Sequence, residues 1–501
     1  MASKIRRVPD ALRVRAHNTP DLIAHDDSAH ALTFAVWDRE VDAVGGGLAA
    51  AGLKTLDRVL LPITNHHATA FAIAFMGVLR AGGICVPLNT RLRRDEVSAY
   101  AELVGARWAI TDGPEQLHHL ELEHCFPIED MPRDASALPD PESLDPKAPC
   151  DIIGTSGTTG RPKGVVNTHE DLVPRFGDGT QTTPSKSLLH ALPFTGYGGC
   201  HAVMMLPLRI GSTVYTQPSF EPGGFLALLQ DRRPDSIQVV PAMLRLIADH
   251  PNASDYDASS LKWIFTGTAP LPPDTVERIT ALWPKARLIN VYGMSEAGAG
   301  TQTRTRDSVR KPGSVGRPDE AGSIEIRDAD GKPLPQGETG EIWTRAERPR
   351  RYWNDPEASA ATWQDGWLAS GDLGFIDAEG DLIISGRSKE LIIRGGYNIA
   401  PIEIENALHG HPAVAEAAVM GVSHEVLGED VAAALAFRPG MHASLAELRE
   451  WCAVRLADNK VPRVWLVKDA LPRNQNAKVV KGELLPELEQ AAALRAADKA
   501  R

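Results

Sequence analysis

Residues 152–166 carry the densest chemistry in the chain: Ile-Ile-Gly-Thr-Ser-Gly-Thr-Thr-Gly-Arg-Pro-Lys-Gly-Val-Val. Glycines at 154, 157, 160 and 164 let the backbone turn its N–H groups inward, and successive inward N–H groups form an anion-holding concavity. Thr155, Ser156, Thr158 and Thr159 add hydroxyl donors between them, and Arg161 and Lys163 add two cations that offset phosphate charge. The stretch therefore reads as a loop that grips a polyphosphate. A plain flexible linker would have no need of the Arg-Pro-Lys-Gly ending or of apolar residues on both sides. It is also not a Walker A loop, because Lys163 follows Pro162 and precedes Gly164 rather than standing in Gly-Lys-Ser/Thr.

The elements around this loop must position it. With 501 residues the chain is too long for one core, so at least two domains are expected. Its 43% hydrophobic and 24% charged residues are ordinary for a globular protein, and a net charge of −12 disfavours nucleic acid or an anionic membrane as the main partner. Five dispersed cysteines (Cys85, Cys125, Cys150, Cys200, Cys452) show neither metal-ligand spacing nor a disulfide framework. The polar N-terminal residues lack a signal-peptide core, and the most apolar stretch, 68–79, is too short to span a bilayer. A reducing, cytoplasmic location is expected.

Residues 11–60 read as helix, short strand pair and helix, with Val41, Val44 and Leu48 on one helical face. A buried strand is expected at 58–62, a helix at 68–80 stopped by Gly82-Gly83, and a strand at 84–88. Strands alternating with helices imply α/β, with a mostly parallel, helix-covered sheet. Residues 112–149, rich in Pro, Asp and Glu, read as a surface excursion whose His118, His119 and His124 are solvated. A strand at 187–193 enters Phe194-Thr195-Gly196-Tyr197-Gly198-Gly199. The glycines there fit either a tight turn or a widened pocket. The arginines 345, 348, 350 and 351 read as a solvated basic face.

The phosphate loop resembles that of the adenylate-forming superfamily, which includes acyl- and aryl-CoA synthetases, luciferases and nonribosomal-peptide adenylation domains. Further segments resemble its motifs in order: 261–270 (Leu-Lys-Trp-Ile-Phe-Thr-Gly-Thr-Ala-Pro), 288–296 (Leu-Ile-Asn-Val-Tyr-Gly-Met-Ser-Glu), Trp367–Asp372, Asp381–Arg387, Ser388–Glu390, 391–405 and 471–481. The resemblance spans nearly the whole chain. It implies a large, multi-subdomain N-terminal α/β domain (1–386) and a small mobile α+β C-terminal domain (387–501) hinged near Lys389.

It also implies roles. Thr155, Ser156, Gly157, Thr158, Thr159, Gly160 and Lys163 would hold the phosphates of ATP. Thr268, Ala269, Pro270, Tyr292 and Gly293 would surround the adenine. Ser295 would contact the α-phosphate, Glu296 would hold Mg²⁺, Asp372 would accept both ribose hydroxyls, and Arg387 would sit beside them. Phe194, Thr195, Gly196, Gly267 and Met294 would line the acyl pocket. Lys478 would be the catalytic lysine, and Gly395-Gly396 would line the pantetheine tunnel of coenzyme A.

The implied activity is an acyl-CoA synthetase. A carboxylic acid would be activated by ATP and Mg²⁺ to an acyl-adenylate, then transferred to the CoA thiol. Departures from the family pattern leave alternatives. The pocket His is replaced by the Phe194-Thr195 pair, Ala477 stands where a Gly usually precedes the lysine, and the Gly before Tyr352 is lost to Arg351. A thioesterification-only ligase fed with an adenylate made elsewhere, an enzyme loading a carrier-protein thiol, and a nucleotide-binding pseudoenzyme are the other readings. Aryl, alicyclic and medium-chain acids all fit, with the glycine-rich turn tilting towards something bulky. A homodimer is common in the family.

Overall fold

The computed structural model describes residues 5–155, 163–178, 186–297, 303–304, 311, 313–318, 322–346, 348–473 and 479–500. It forms three sheets. The first is built around parallel strands: Ile84–Pro87, Arg58–Leu61, Trp108–Thr111 and His124–Pro127 lie side by side, and Pro149–Thr155 runs parallel beside Ile84–Pro87. Pro149–Thr155 pairs antiparallel with Lys163–Thr168, with Thr155 opposite Lys163, so the two ends of the phosphate-loop segment lie side by side.

Helix Ala68–Arg80 is apolar almost all round, and this is why it is buried almost all round: Phe71, Phe75 and Leu79 are fully enclosed. Helix Phe34–Ala50 is capped by the Thr33 side chain, which accepts from the Val36 N–H, and packs on it through Val41, Val44 and Leu48.

The second sheet holds the parallel strands Thr213–Thr216, Ser187–His190, Ser236–Gln238, Trp263–Gly267 and Arg287–Tyr292 in that spatial order. It continues antiparallel through Thr303–Arg304 and Ser314–Pro318 into a β-rich part made of Ile324–Arg327, Gly340–Arg345, Trp367–Ile376 and Leu382–Arg387. The third sheet, Ile392–Arg394, Tyr397–Ile399, Val414–His424, Gly428–Phe437 and Val464–Val467, has its own core around Ile404, Leu408 and Leu435 and belongs to the smaller C-terminal domain. Among the described residues no helix is long and apolar enough to cross a membrane.

Two sequence expectations need correction. Residues 112–149 are not merely a surface excursion. His124–Pro127 extends the first sheet, His124 stacks on Trp108 at 4.1 Å, and Ile128, Met131 and Leu144 are buried. The arginines at 345–351 do not form one solvated face. Arg350 is buried on Asp171, and Arg348 donates to the Glu170 carbonyl.

Candidate functional site

Parallel sheets present their ligands at the carboxyl ends of their strands. Two such ends meet here. Gly267 closes the strand Trp263–Gly267 opposite Val291, and a Cβ at 267 would stand 2.3 Å from the Val291 carbonyl oxygen, so only glycine allows the approach. Thr268 follows with φ of 68°, a left-handed conformation that a β-branched residue rarely adopts. Ala269 and Pro270 carry the chain away from the sheet.

One strand over, Tyr292 ends Arg287–Tyr292 and donates its hydroxyl hydrogen to Asp372 Oδ2 at 2.7 Å. Arg387 Nε donates to Asp372 Oδ1 at 2.8 Å, because the two residues face each other across the antiparallel strands Trp367–Ile376 and Leu382–Arg387. Desolvation, and then the Asp372 charge, hold the Tyr292 hydroxyl well above its ordinary range, so it remains a donor. Burial alone would lower Arg387, but the Asp372 carboxylate outweighs it and the guanidinium stays charged. A carboxylate with an acceptor oxygen on each side, next to a phenol and a guanidinium, is suited to a vicinal diol.

A second set stands four residues further on. Tyr352 donates to Glu296 Oε1 at 3.0 Å, and the Lys163 ammonium lies over the Tyr352 ring, 4.5 Å from its centroid. Tyr352 is brought there by the two-residue strand Arg351–Tyr352, which pairs with Lys163–Thr168, and by Trp353, whose N–H donates to the Gly164 carbonyl at 2.8 Å. Burial and the Glu296 charge raise the Tyr352 hydroxyl, so it too stays protonated.

Sequence reasoning passed over Tyr352. It noted the missing glycine before it and not the phenol itself. Gly293 and Met294 leave the strand and a turn over Ser295–Ala297 follows, with Met294, Ser295 and Glu296 half-buried.

Glu296 Oε2 has no partner among the described residues, and no cluster of three metal-ligating side chains occurs among them. That donor set fits Mg²⁺, which takes one or two carboxylates together with substrate phosphates rather than a full protein cage.

The segment expected to line the acyl pocket divides. Phe194 is buried, stacked on His190 at 5.2 Å and tilted against Phe71 at 5.4 Å, while Thr195 and Gly196 are half-buried. Gly199 has a structural reason, since a Cβ there would lie 1.9 Å from the Pro193 carbonyl oxygen. The chain then widens into a π-helix over Gly198–Met204.

Lys389 is exposed in the single helical turn Ser388–Glu390. Gly395 and Gly396, both at positive φ, make the turn between Ile392–Arg394 and Tyr397–Ile399. Ser156, Gly157, Thr158, Thr159, Gly160, Ala477 and Lys478 lie outside the described residues. Arg473 and Val479, which bracket the lysine segment, pair with each other, and Lys481 just beyond bridges Glu390 at 2.8 Å and Glu405 at 3.0 Å.

Comparison with known proteins adds to this geometry. Residues 12–349 match the model of the AMP-binding enzyme family, and residues 403–478 match that of the AMP-binding enzyme C-terminal domain. A feruloyl-CoA synthase of an Amycolatopsis species is 33% identical over 481 residues, covering 94% of this chain and 96% of that protein. A long-chain-fatty-acid–CoA ligase of Mycobacterium tuberculosis is 31% identical over 493 residues, covering 94% and 96%. The crystal structure of ATP-bound MatB from Rhodopseudomonas palustris superposes with a TM-score of 0.85 at 26% identity, covering 97% of this chain and 99% of that one.

Proposed function

The chain belongs to the family of AMP-binding enzymes, and on that footing we propose that it is an acyl-CoA synthetase. It joins a carboxylic acid to the thiol of coenzyme A at the expense of ATP, through an acyl-adenylate. The observation that carries this reading is the adjacency of two polar sets at the strand ends: Asp372 with Tyr292 and Arg387, and Glu296 with Tyr352 and Lys163.

In the first half-reaction a carboxylate oxygen attacks the α-phosphorus, the bond to the bridging oxygen breaks, and pyrophosphate leaves. Asp372 and Arg387 hold the ribose, and Tyr292 orients Asp372 beside the adenine. Lys163, Ser295 and the loop N–H groups face the phosphates, where negative charge collects as two anions meet. Preorganised donors of this kind are usually the largest catalytic contribution. Mg²⁺ held by Glu296 would supply further neutralisation of phosphate charge. Lys478 is assigned the same task from the C-terminal side.

In the second half-reaction the thiol sulfur attacks the acyl carbon, AMP leaves, and the thiol proton passes to solvent. The boundary between the two domains is placed at 386/387, with Lys389 as the pivot and Gly395-Gly396 as the face presented to CoA. One site then serves two reactions by changing its lid. A cytoplasmic location completes the reading.

The test is a mass-spectrometric assay with ATP, Mg²⁺, CoA and a mixed pool of carboxylic acids, beside a second tube given acyl-adenylates in place of ATP. Acyl-CoA in the first tube is the expected result and names the acid. Acyl-CoA in the second tube alone would restrict the enzyme to thioester formation and make Ala477 the residue to revert. Acyl-CoA in neither would overturn the reading.

A further inference from the structure

Arg175 lies in Val173–Phe176, a single helical turn that follows the short helix His169–Leu172. Its guanidinium donates to the Tyr197 hydroxyl and lies over that ring, 5.5 Å from the centroid. Tyr197 directly follows Phe194–Gly196, and its ring stands edge-on to His201 at 4.6 Å. His201 Nε2 is 2.8 Å from Asp151 Oδ2, and Asn167 Nδ2 donates to Asp151 Oδ1 at 2.7 Å; all three side chains are buried. Asp151 belongs to the strand that runs into the phosphate loop. Arg175 and Tyr197 are thus braced by a buried network that starts on the strand leading into the proposed phosphate loop.

The brace leaves the guanidinium underused. Arg80, Arg350 and Arg394 each meet a carboxylate. Arg175 is half-buried, and among the described residues no carboxylate pairs with it and its partner is a neutral phenol. A guanidinium carries five N–H donors in a rigid fork.

Position supplies the rest. Phe194–Tyr197 leaves the carboxyl end of strand Ser187–His190. Three strand spacings separate that strand from Arg287–Tyr292 in the sheet order, about 14 Å. That sets Phe194–Tyr197, and Arg175 on it, to one side of the nucleotide residues along the same row of strand ends, the side left for the acyl part of a substrate.

We propose that Arg175, steadied by Tyr197, reads the far end of the substrate, and that the enzyme favours carboxylic acids bearing an oxygen acceptor (a phenol, a carbonyl or a second carboxylate) remote from the reacting carboxyl. This rests on the acyl-CoA synthetase reading and gives that site its substrate class.

Two matched pairs of acids test it: 4-hydroxycinnamate against cinnamate, and octanedioate against octanoate. Wild-type enzyme is expected to favour the acceptor-bearing member of at least one pair by about tenfold or more in kcat/KM. Arg175→Gln removes that preference, chiefly through KM for the acid, while KM for ATP stays within about twofold. Arg175→Lys keeps part of any preference for the dicarboxylate, and Tyr197→Phe weakens whichever preference wild type shows.

No preference in wild type, or the same preference in Arg175→Gln with normal ATP binding, overturns the assignment while leaving the synthetase reading intact. Acyl-CoA from no acid in the wider pool overturns both.

Discussion

Tyr352 shows what a single hydroxyl can do beside the carboxylate proposed to hold Mg²⁺. It fixes Glu296 Oε1, while its ring carries Lys163 above it. In Tyr352→Phe, Glu296 loses one hydrogen bond, about 1 kcal/mol or more for a bond to a charged group. The Mg²⁺ concentration for half-maximal pyrophosphate release should rise several-fold. Thioester formation from a supplied acyl-adenylate should change less than about twofold. An unchanged Mg²⁺ titration would make Tyr352 a packing residue only.

Asp372→Asn removes the charge that Arg387 and Tyr292 share, so KM for ATP should rise by about tenfold or more, read from initial rates of adenylate formation. Asp372 and Arg387 were legible as a pair, and Tyr292 separately beside the adenine, because each lies in a motif of recognisable order; the Tyr292–Asp372 contact itself was not. Tyr352 was not, because its partner lies 56 positions away in the chain, and only the folded hairpin brings them together.

Elements were most legible where one pattern dominates. The helix expected at 68–80 has those bounds, since thirteen residues with apolar side chains nearly all round can only be buried. The strands expected at 58–62 and 84–88 are observed at Arg58–Leu61 and Ile84–Pro87. The strand His124–Pro127 was hidden by prolines and acids on either side, and it is covered in part by Trp108, a residue of its neighbouring strand.

The turn after Trp263–Gly267 departs from local preference, with Thr268 at φ of 68° where the related pattern carries a small residue. Thr268→Gly should relieve about 1 kcal/mol of backbone strain and raise the midpoint of chemical denaturation. A lower midpoint would mean that the threonine side chain compensates for its own conformation.

At the scale of the whole molecule, three buried histidines and the half-buried His409 set the acid limit of the fold. Burial lowers His25 and His190 to about 3 and His169 to about 4, and burial with the neighbouring Arg245 charge puts His409 well below its ordinary value. Each is neutral when folded and takes up a proton near pH 6.5 when unfolded. Their contribution is therefore complete above about pH 6.5 and is lost as pH falls from there towards the folded values. Each costs about 1.4 kcal/mol per pH unit in that window. Urea midpoints should hold steady from pH 8 to 7 and drop steeply between pH 6 and 5; a flat profile would contradict the burial.

His409 also belongs to the seam between the domains. Arg245 Nη1 donates to its Nδ1 at 2.8 Å, and Arg438 reaches Asp249 at 3.4 Å and Asp274 at 3.3 Å. Contacts of this kind part without exposing an apolar face to water, because each charged group regains hydration as it leaves its partner. They are also the contacts most sensitive to dissolved ions, whose screening length is about 10 Å at 0.1 M and about 3 Å at 1 M. Where swinging of the C-terminal domain limits turnover, kcat should therefore depend on ionic strength, and neutralising Arg438 as Arg438→Gln should flatten that dependence. The seam would then couple the pace of the lid to the salt around the protein.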